Sequence, residues 1–106
     1  MSTPAVTPEP PYFAVIFTSL LEENAEGYEE TAERMMELAA LQEGFLGIES
    51  ARDEIGITVS YWRDEASIRE WRAQAAHVEA RRMGRELWYR TFRVRVSRVE
   101  REYGSP

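Results

Sequence analysis

The stretch "FLGIESARDEIGITVSYW", residues 45–62, decides the fold. It holds two runs rich in β-branched and aromatic residues, "FLGIESAR" (45–52) and "ITVSYW" (57–62), separated by Asp53-Glu54-Ile55-Gly56. So short a polar connection ending in glycine cannot carry a crossover helix, so the two runs read as strands of one antiparallel hairpin. Every other element is placed relative to that hairpin.

On its N-terminal side, Gly44 ends a helix. Along that helix Tyr28, Ala32, Met35, Met36 and Ala39 recur at spacings of three and four, with Glu29, Glu30, Glu33 and Glu37 off the stripe. The pattern buries one face, and Asn24 is the predicted N-cap. Before it, "YFAVIFTSL" (12–20) reads as a strand. On the C-terminal side, Asp64 caps a second helical region that runs to about Trp88, and "YRTFRVRVSRVE" (89–100) alternates apolar residues with arginine as a last strand. The order β-α-β-β-α-β predicts an α+β, ferredoxin-like fold: one antiparallel sheet with both helices on one face. Residues 12–103 form that single domain. The opening "MSTPAVTPEPP" (1–11), with four prolines and little to bury, reads as a flexible tail, and residues 104–106 as a short C-terminal one.

Two features ask for more than a monomeric sheet with two straight helices. In the first strand Phe13, Val15 and Phe17 alternate with Tyr12, Ala14 and Ile16, so both faces are apolar. A second copy covering the outer face is the economical solution, and a homodimer through the sheet faces is expected. In the second helical region, Ile68, Trp71 and Ala75 share one stripe while Ala76, Ala80, Met83 and Leu87 share another, rotated from the first. One straight helix cannot aim both at a sheet, so a break is predicted between about Gln74 and His77.

Composition narrows the chemistry. The 106 residues contain no cysteine and one histidine, His77, which removes thiolate nucleophiles, cysteine-ligated clusters and multi-histidine metal centres; the acidic residues are scattered along helix faces without a metal-loop spacing, so no metal is expected. A net charge of −6 argues against nucleic acid and anionic membranes as partners, although all thirteen basic residues are arginine. No run approaches the roughly 18 apolar residues of a membrane span, and a basic-then-apolar leader is missing, so a cytoplasmic location is expected.

With the elements placed, "GFLGIES", "YWRDEASIREW", "HVEARRMGRELWY" and "VEREY" resemble the antibiotic-biosynthesis-monooxygenase-like proteins over residues 12–103. The pattern of Tyr61-Trp62, Trp71, His77, Gly84, Trp88-Tyr89 and Arg101 is most similar to an uncharacterised branch of that family. The resemblance implies a dimeric α+β barrel, two ferredoxin-like subunits joined through their sheets, each with a pocket between helices and sheet. Relatives include cofactor-free oxygenases of anthrones and quinols, degraders of small signalling molecules, and heme-degrading enzymes. The heme-degrading pattern has an asparagine on the first strand, a tryptophan on the second helical region and a ligand histidine ten residues beyond it. Here Thr18, Trp71 and Arg81 stand at those places, so heme binding or degradation is the lesser reading.

For a cofactor-free oxygenase the resemblance implies no bound cofactor and a pocket for a small aromatic, phenolic or quinol-like substrate. Tyr61, Trp62, Trp71, Trp88 and Tyr89 are its expected lining, His77 a base near neutral pH, and Arg81 a stabiliser of the resulting phenolate. Each residue also has a structural reading: Trp71 as core, Trp62 and Trp88 closing strand ends, His77 as a hydrogen-bonded interface residue. The competing function is a non-enzymatic or stress-associated dimer holding a small apolar ligand.

Overall fold

The computed structural model of the chain describes residues 3–74 and 88–105. The element order is β1 (Tyr12–Leu21), α1 (Tyr28–Ala40), β2 (Phe45–Arg52), β3 (Gly56–Trp62), α2 (Glu65–Ala73) and β4 (Tyr89–Val99). The strands form one antiparallel sheet in the order β2-β3-β1-β4, the ferredoxin-like arrangement expected. The hairpin closes where the sequence places it, with Arg52 opposite Gly56.

Register sorts the side chains into two faces, because neighbours along a strand point in opposite directions. Toward the helices, one row across the sheet is Ser50, Thr58, Phe17 and Val94, and the next is Arg52, Gly56, Ser19 and Phe92. The outer face carries Tyr12, Ala14, Ile16 and Thr18, with Tyr61, Val59 and Ile57 beside them on β3. Arg93 and Arg95 stand on that outer face opposite Thr18 and Ile16.

Helix α1 starts later than expected. Its N-cap is Gly27, at φ 82°, and Asn24 is not the capping residue. The cause lies in the preceding loop: Glu22 N–H donates to the Trp88 carbonyl (2.7 Å) and the Glu26 carbonyl accepts from Trp88 Nε1 (2.8 Å). The loop is thereby committed to β4, and a left-handed glycine turns the chain into the helix, whose first turn carries Glu29 and Glu30 against the dipole. At the other end α1 stops at Ala40, and Gly44 (φ 89°) brings the chain back into β2.

Helix α2 is capped as predicted: Asp64 Oδ1 accepts from Ser67 N–H and from the Ser67 hydroxyl, both at 2.8 Å. It ends at Ala73, where Gln74 turns extended (φ −61°, ψ 135°), so the helical pattern breaks at the first residue of the predicted interval. The second stripe lies outside the described residues.

The segment read as a tail makes specific contacts. Ala5 N–H donates to Glu49 (2.8 Å), and the Thr7 hydroxyl donates to the Tyr12 hydroxyl (2.8 Å). Ala5 also lies against Gly47, while Thr3 and Pro4 sit with Met36 and Ile48, so the segment passes round the β2 edge.

Among the described residues few apolar side chains are fully covered: Tyr12, Ala14, Ala39, Trp62, Ile68 and Trp88. Ala39, Trp62 and Ile68 form one cluster, with Phe13, Val15, Phe45 and Trp71 packed against it. Val15 and Phe17 are only partly buried although they face the helices, because the space between helices and sheet beside them is not filled. No described helix is long and apolar enough to cross a membrane.

Candidate functional site

That unfilled space is a cavity of about 300 Å³, at the lower end of the usual range for small-molecule sites. The sheet contributes Val15, Phe17, Ile48, Ser50, Thr58 and Val94 to its floor. Helix α1 contributes Tyr28, Ala32 and Met35, helix α2 contributes Ile68, Trp71 and Arg72, and the start of β4 closes it with Trp88, Tyr89 and Phe92. Ala32 is a small residue on the α1 wall of this space, which leaves room above the sheet.

Of the sequence-predicted lining residues, Trp71, Trp88 and Tyr89 reach the cavity together. Trp88 is held by its bond to the Glu26 carbonyl and lies edge-on to Tyr28, with centroids 5.9 Å apart. Tyr89 is edge-on to Tyr28 as well (5.6 Å) and to Phe17 (5.3 Å). Trp62 does not line the cavity. It is fully buried, donates from Nε1 to Ser60 Oγ (2.9 Å) and stacks behind Trp71, supporting that wall from the core. Tyr61 is not there either: as the strand neighbour of Trp62 it must point to the opposite face, where it donates to Glu49 Oε1 at 2.7 Å. His77 and Arg81 lie outside the described residues.

Among the described residues, several of the polar groups at the cavity are already hydrogen-bonded. Ser50 and Thr58 share a hydrogen bond of 2.8 Å across β2 and β3. Burial, and then the hydrogen bond with the neighbouring Tyr28 hydroxyl, hold the Tyr89 phenol well above its ordinary pKa, while the Arg52 charge opposes the shift. Tyr89 is therefore a neutral donor throughout the physiological range. Beyond Tyr28, Arg52 donates through Nη1 to the Ser19 carbonyl (3.3 Å) and through Nη2 to the Ser19 hydroxyl and the Tyr28 hydroxyl. Sequence reasoning passed over Tyr28, Ser19 and Arg52 as site residues. The available signal was register: counting Ile48, Ser50, Arg52 along one face of β2 brings an arginine to the helix side, opposite a glycine.

The described lining is mostly aromatic and aliphatic. A family model described as antibiotic biosynthesis monooxygenase matches residues 11–83. The chain is 55% identical over 98 residues to the uncharacterized protein YqjZ of Bacillus subtilis (strain 168), covering 91% of this chain and 86% of that one. Among solved structures it is similar to Rv0793 of Mycobacterium tuberculosis, with a TM-score of 0.76 at 16% identity over 89% of this chain and 99% of that one. It is also similar to SnoaB, a cofactor-independent oxygenase from Streptomyces nogalater, with a TM-score of 0.71 at 15% identity over 92% of this chain and 99% of that one. At such identities the structural likeness speaks for the fold alone; the match of the family model over most of the chain goes further, and the chain belongs to the antibiotic biosynthesis monooxygenase family.

Proposed function

We propose that the protein is a cofactor-independent monooxygenase of a small aromatic, phenolic or quinol-like compound. The observation that carries this reading is the cavity itself, walled by Phe17, Trp71, Trp88, Tyr89 and Phe92 with few polar groups. A planar substrate fits between such rings, and the same walls keep water from the reacting anion. Without a cofactor the substrate supplies the electrons. Removal of a proton from an anthrone-type carbon acid or a quinol hydroxyl gives an anion delocalised onto carbon that reduces dioxygen; a C–O bond forms as a hydroperoxide at a carbon that keeps a hydrogen, and loss of water leaves a carbonyl there, one oxygen atom going to the product and one to water. His77 is the proposed base and Arg81 the group that stabilises the anion, both from the second helical region.

The same reading has the protein as a homodimer joined through its outer sheet faces. Ile57 at 46% exposed, with Ile16 and Val59 in neighbouring positions, supports it, since an apolar patch on a sheet is ordinarily covered.

Oxygen uptake across a panel of quinols, anthrones and flavonoid-like phenols tests the activity, with heat-treated protein and His77→Ala correcting for autoxidation. Uptake above both controls with one oxygen atom incorporated into product is expected. Uptake matching the controls across the panel would overturn the enzymatic reading and leave a dimer that only holds its ligand.

A further inference from the structure

The described lining of the cavity carries positive charge in an acidic protein. Among the described residues that line it, Arg72 is the charged side chain and no carboxylate is present, although the chain carries nineteen acidic residues and a net charge of −6. One row further along the same sheet face stands Arg52, two residues beyond the cavity-lining Ser50.

Arg52 is unusually well held for an arginine at the end of a strand. Its guanidinium carbon lies 5.4 Å from the centre of the Tyr28 ring, and its Nη atoms bond the carbonyl and hydroxyl of Ser19, itself 2% exposed. Gly56 makes the space, since a Cβ there would run into the guanidinium. Among the described residues no carboxylate bridges Arg52. Three of its five N–H donors are engaged in those bonds and the one to Tyr28, which leaves Nε–H and one Nη1–H for a further acceptor. Tyr28 and Tyr89, which both line the cavity, carry the contact from this charge to the ligand space.

We propose that Arg52, acting with Tyr28 and Tyr89, is a specificity determinant that selects aromatic ligands bearing an anionic oxygen: an ionised phenol or enol, or a ring carboxylate. The inference rests on the cavity being the ligand site, as in the proposed function. Arg52 is exposed, but among the described residues no carboxylate pairs with it, and its two remaining N–H donors, with the one phenol O–H that the Tyr28–Tyr89 pair leaves free, make an attractor for an oxyanion at the edge of an aromatic enclosure. Arg72 adds to the field from the helix side without sharing these contacts.

The test compares two probes of nearly the same shape, anthraquinone-2-carboxylate and neutral 2-methylanthraquinone, binding to the full chain by quenching of tryptophan fluorescence at neutral pH. The wild-type protein is expected to prefer the carboxylate by about tenfold, a preference that shrinks as salt is raised. In Arg52→Gln the preference falls to near unity while 2-methylanthraquinone binds as before; in Arg52→Lys most of it returns. Tyr28→Phe, which leaves the charge and the ring in place, is expected to lose part of the preference and answers the question if Arg52→Gln does not fold. Equal binding of both probes by the wild type, unaffected by Arg52→Gln and Tyr28→Phe, would overturn the specificity role and leave the cavity as a ligand site. No binding of either probe by folded wild-type protein would overturn the cavity reading and this inference with it.

Discussion

Trp62 and Trp71 stack with ring centroids 6.2 Å apart and planes 24° from parallel, one belonging wholly to the core and the other presenting its far side to the cavity. The pair divides stability from binding. Trp62→Ala removes a completely buried indole and the backing of Trp71, and is expected to cost about 3–5 kcal/mol in urea unfolding. Trp71→Phe is expected to cost under about 1.5 kcal/mol, as a swap that keeps an aromatic ring in place, and to weaken anthraquinone-type ligands several-fold. If Trp71→Phe unfolds the protein as severely as Trp62→Ala while the ligand affinity of its folded fraction is unchanged, Trp71 belongs to the core alone.

Two left-handed glycines should respond differently to alanine. At Gly27 (φ 82°) a Cβ meets nothing, so Gly27→Ala carries only backbone strain, about 1–2 kcal/mol. At Gly44 (φ 89°) a Cβ collides with the buried Ser67 side chain at the start of α2, so the same strain comes with displacement of the Asp64 cap. Gly44→Ala is expected to be the more destabilising by at least about 1 kcal/mol; thermal unfolding of the two variants side by side decides it.

Tyr61 and Tyr89 should ionise late. Burial, then the hydrogen bond and charge of Glu49, push the Tyr61 phenol up to about 12, and Tyr89 is raised further by burial and Tyr28. A raised pKa in the folded state favours the protonated phenol, so its stabilising effect is complete below the ordinary value of 10.0 and disappears as pH rises through about 12. Spectrophotometric titration of the folded protein should show a late step that loses amplitude in Tyr61→Phe. A late step of the same amplitude in Tyr61→Phe, or none in the wild type, would contradict the Glu49 contact.

Asp64 gives the opposite dependence. Hydrogen bonds from Ser67 N–H and then the Ser67 hydroxyl hold its carboxyl below the usual range, with a smaller contribution from Arg63. A depressed pKa stabilises the fold above the unfolded value, and the effect is lost as pH falls through the folded one. Asp64→Asn keeps an acceptor at the cap without a charge, so its stability should change less than the wild type's between neutral and strongly acidic pH, whereas Asp64→Ala should be weaker throughout. Identical acid profiles for wild type and Asp64→Asn would remove the cap from the acid response.

How much of this was legible in the sequence follows the range of the forces involved. The hairpin, the strands and the α2 cap depend on neighbours a few residues apart, and residues 45–62 and Asp64 carried them. The break at Gln74 was legible from a conflict between two helical stripes. The start of α1 was not, because Asn24 has the chemistry of a cap while its loop is claimed by Trp88, sixty-odd residues away. Tyr61 stands apart from the cavity for a different reason: its aromatic character suggests a pocket, and the alternation of a strand, already implied by Trp62 beside it, sends it to the other face. Arg52 was invisible as a site residue because a polar side chain at a hairpin end ordinarily points to water; only the pairing of β2 with β3 puts it over Gly56 and beside Tyr28.

The passage of residues 3–7 round the margin of β2 bears on how the chain survives at high concentration. A four-stranded open sheet has two outer strands, and the unpaired amides of each invite another molecule to add itself. On β4 the invitation is refused by charge, with Arg90, Arg93, Arg95 and Arg98 spaced along it. β2, whose Leu46 and Ile48 offer a far stickier border, has no such row of cations, and the proline-bearing opening segment lies across it instead. Trimming those few residues would leave the sheet and its chemistry in place and open a border for strand-to-strand aggregation.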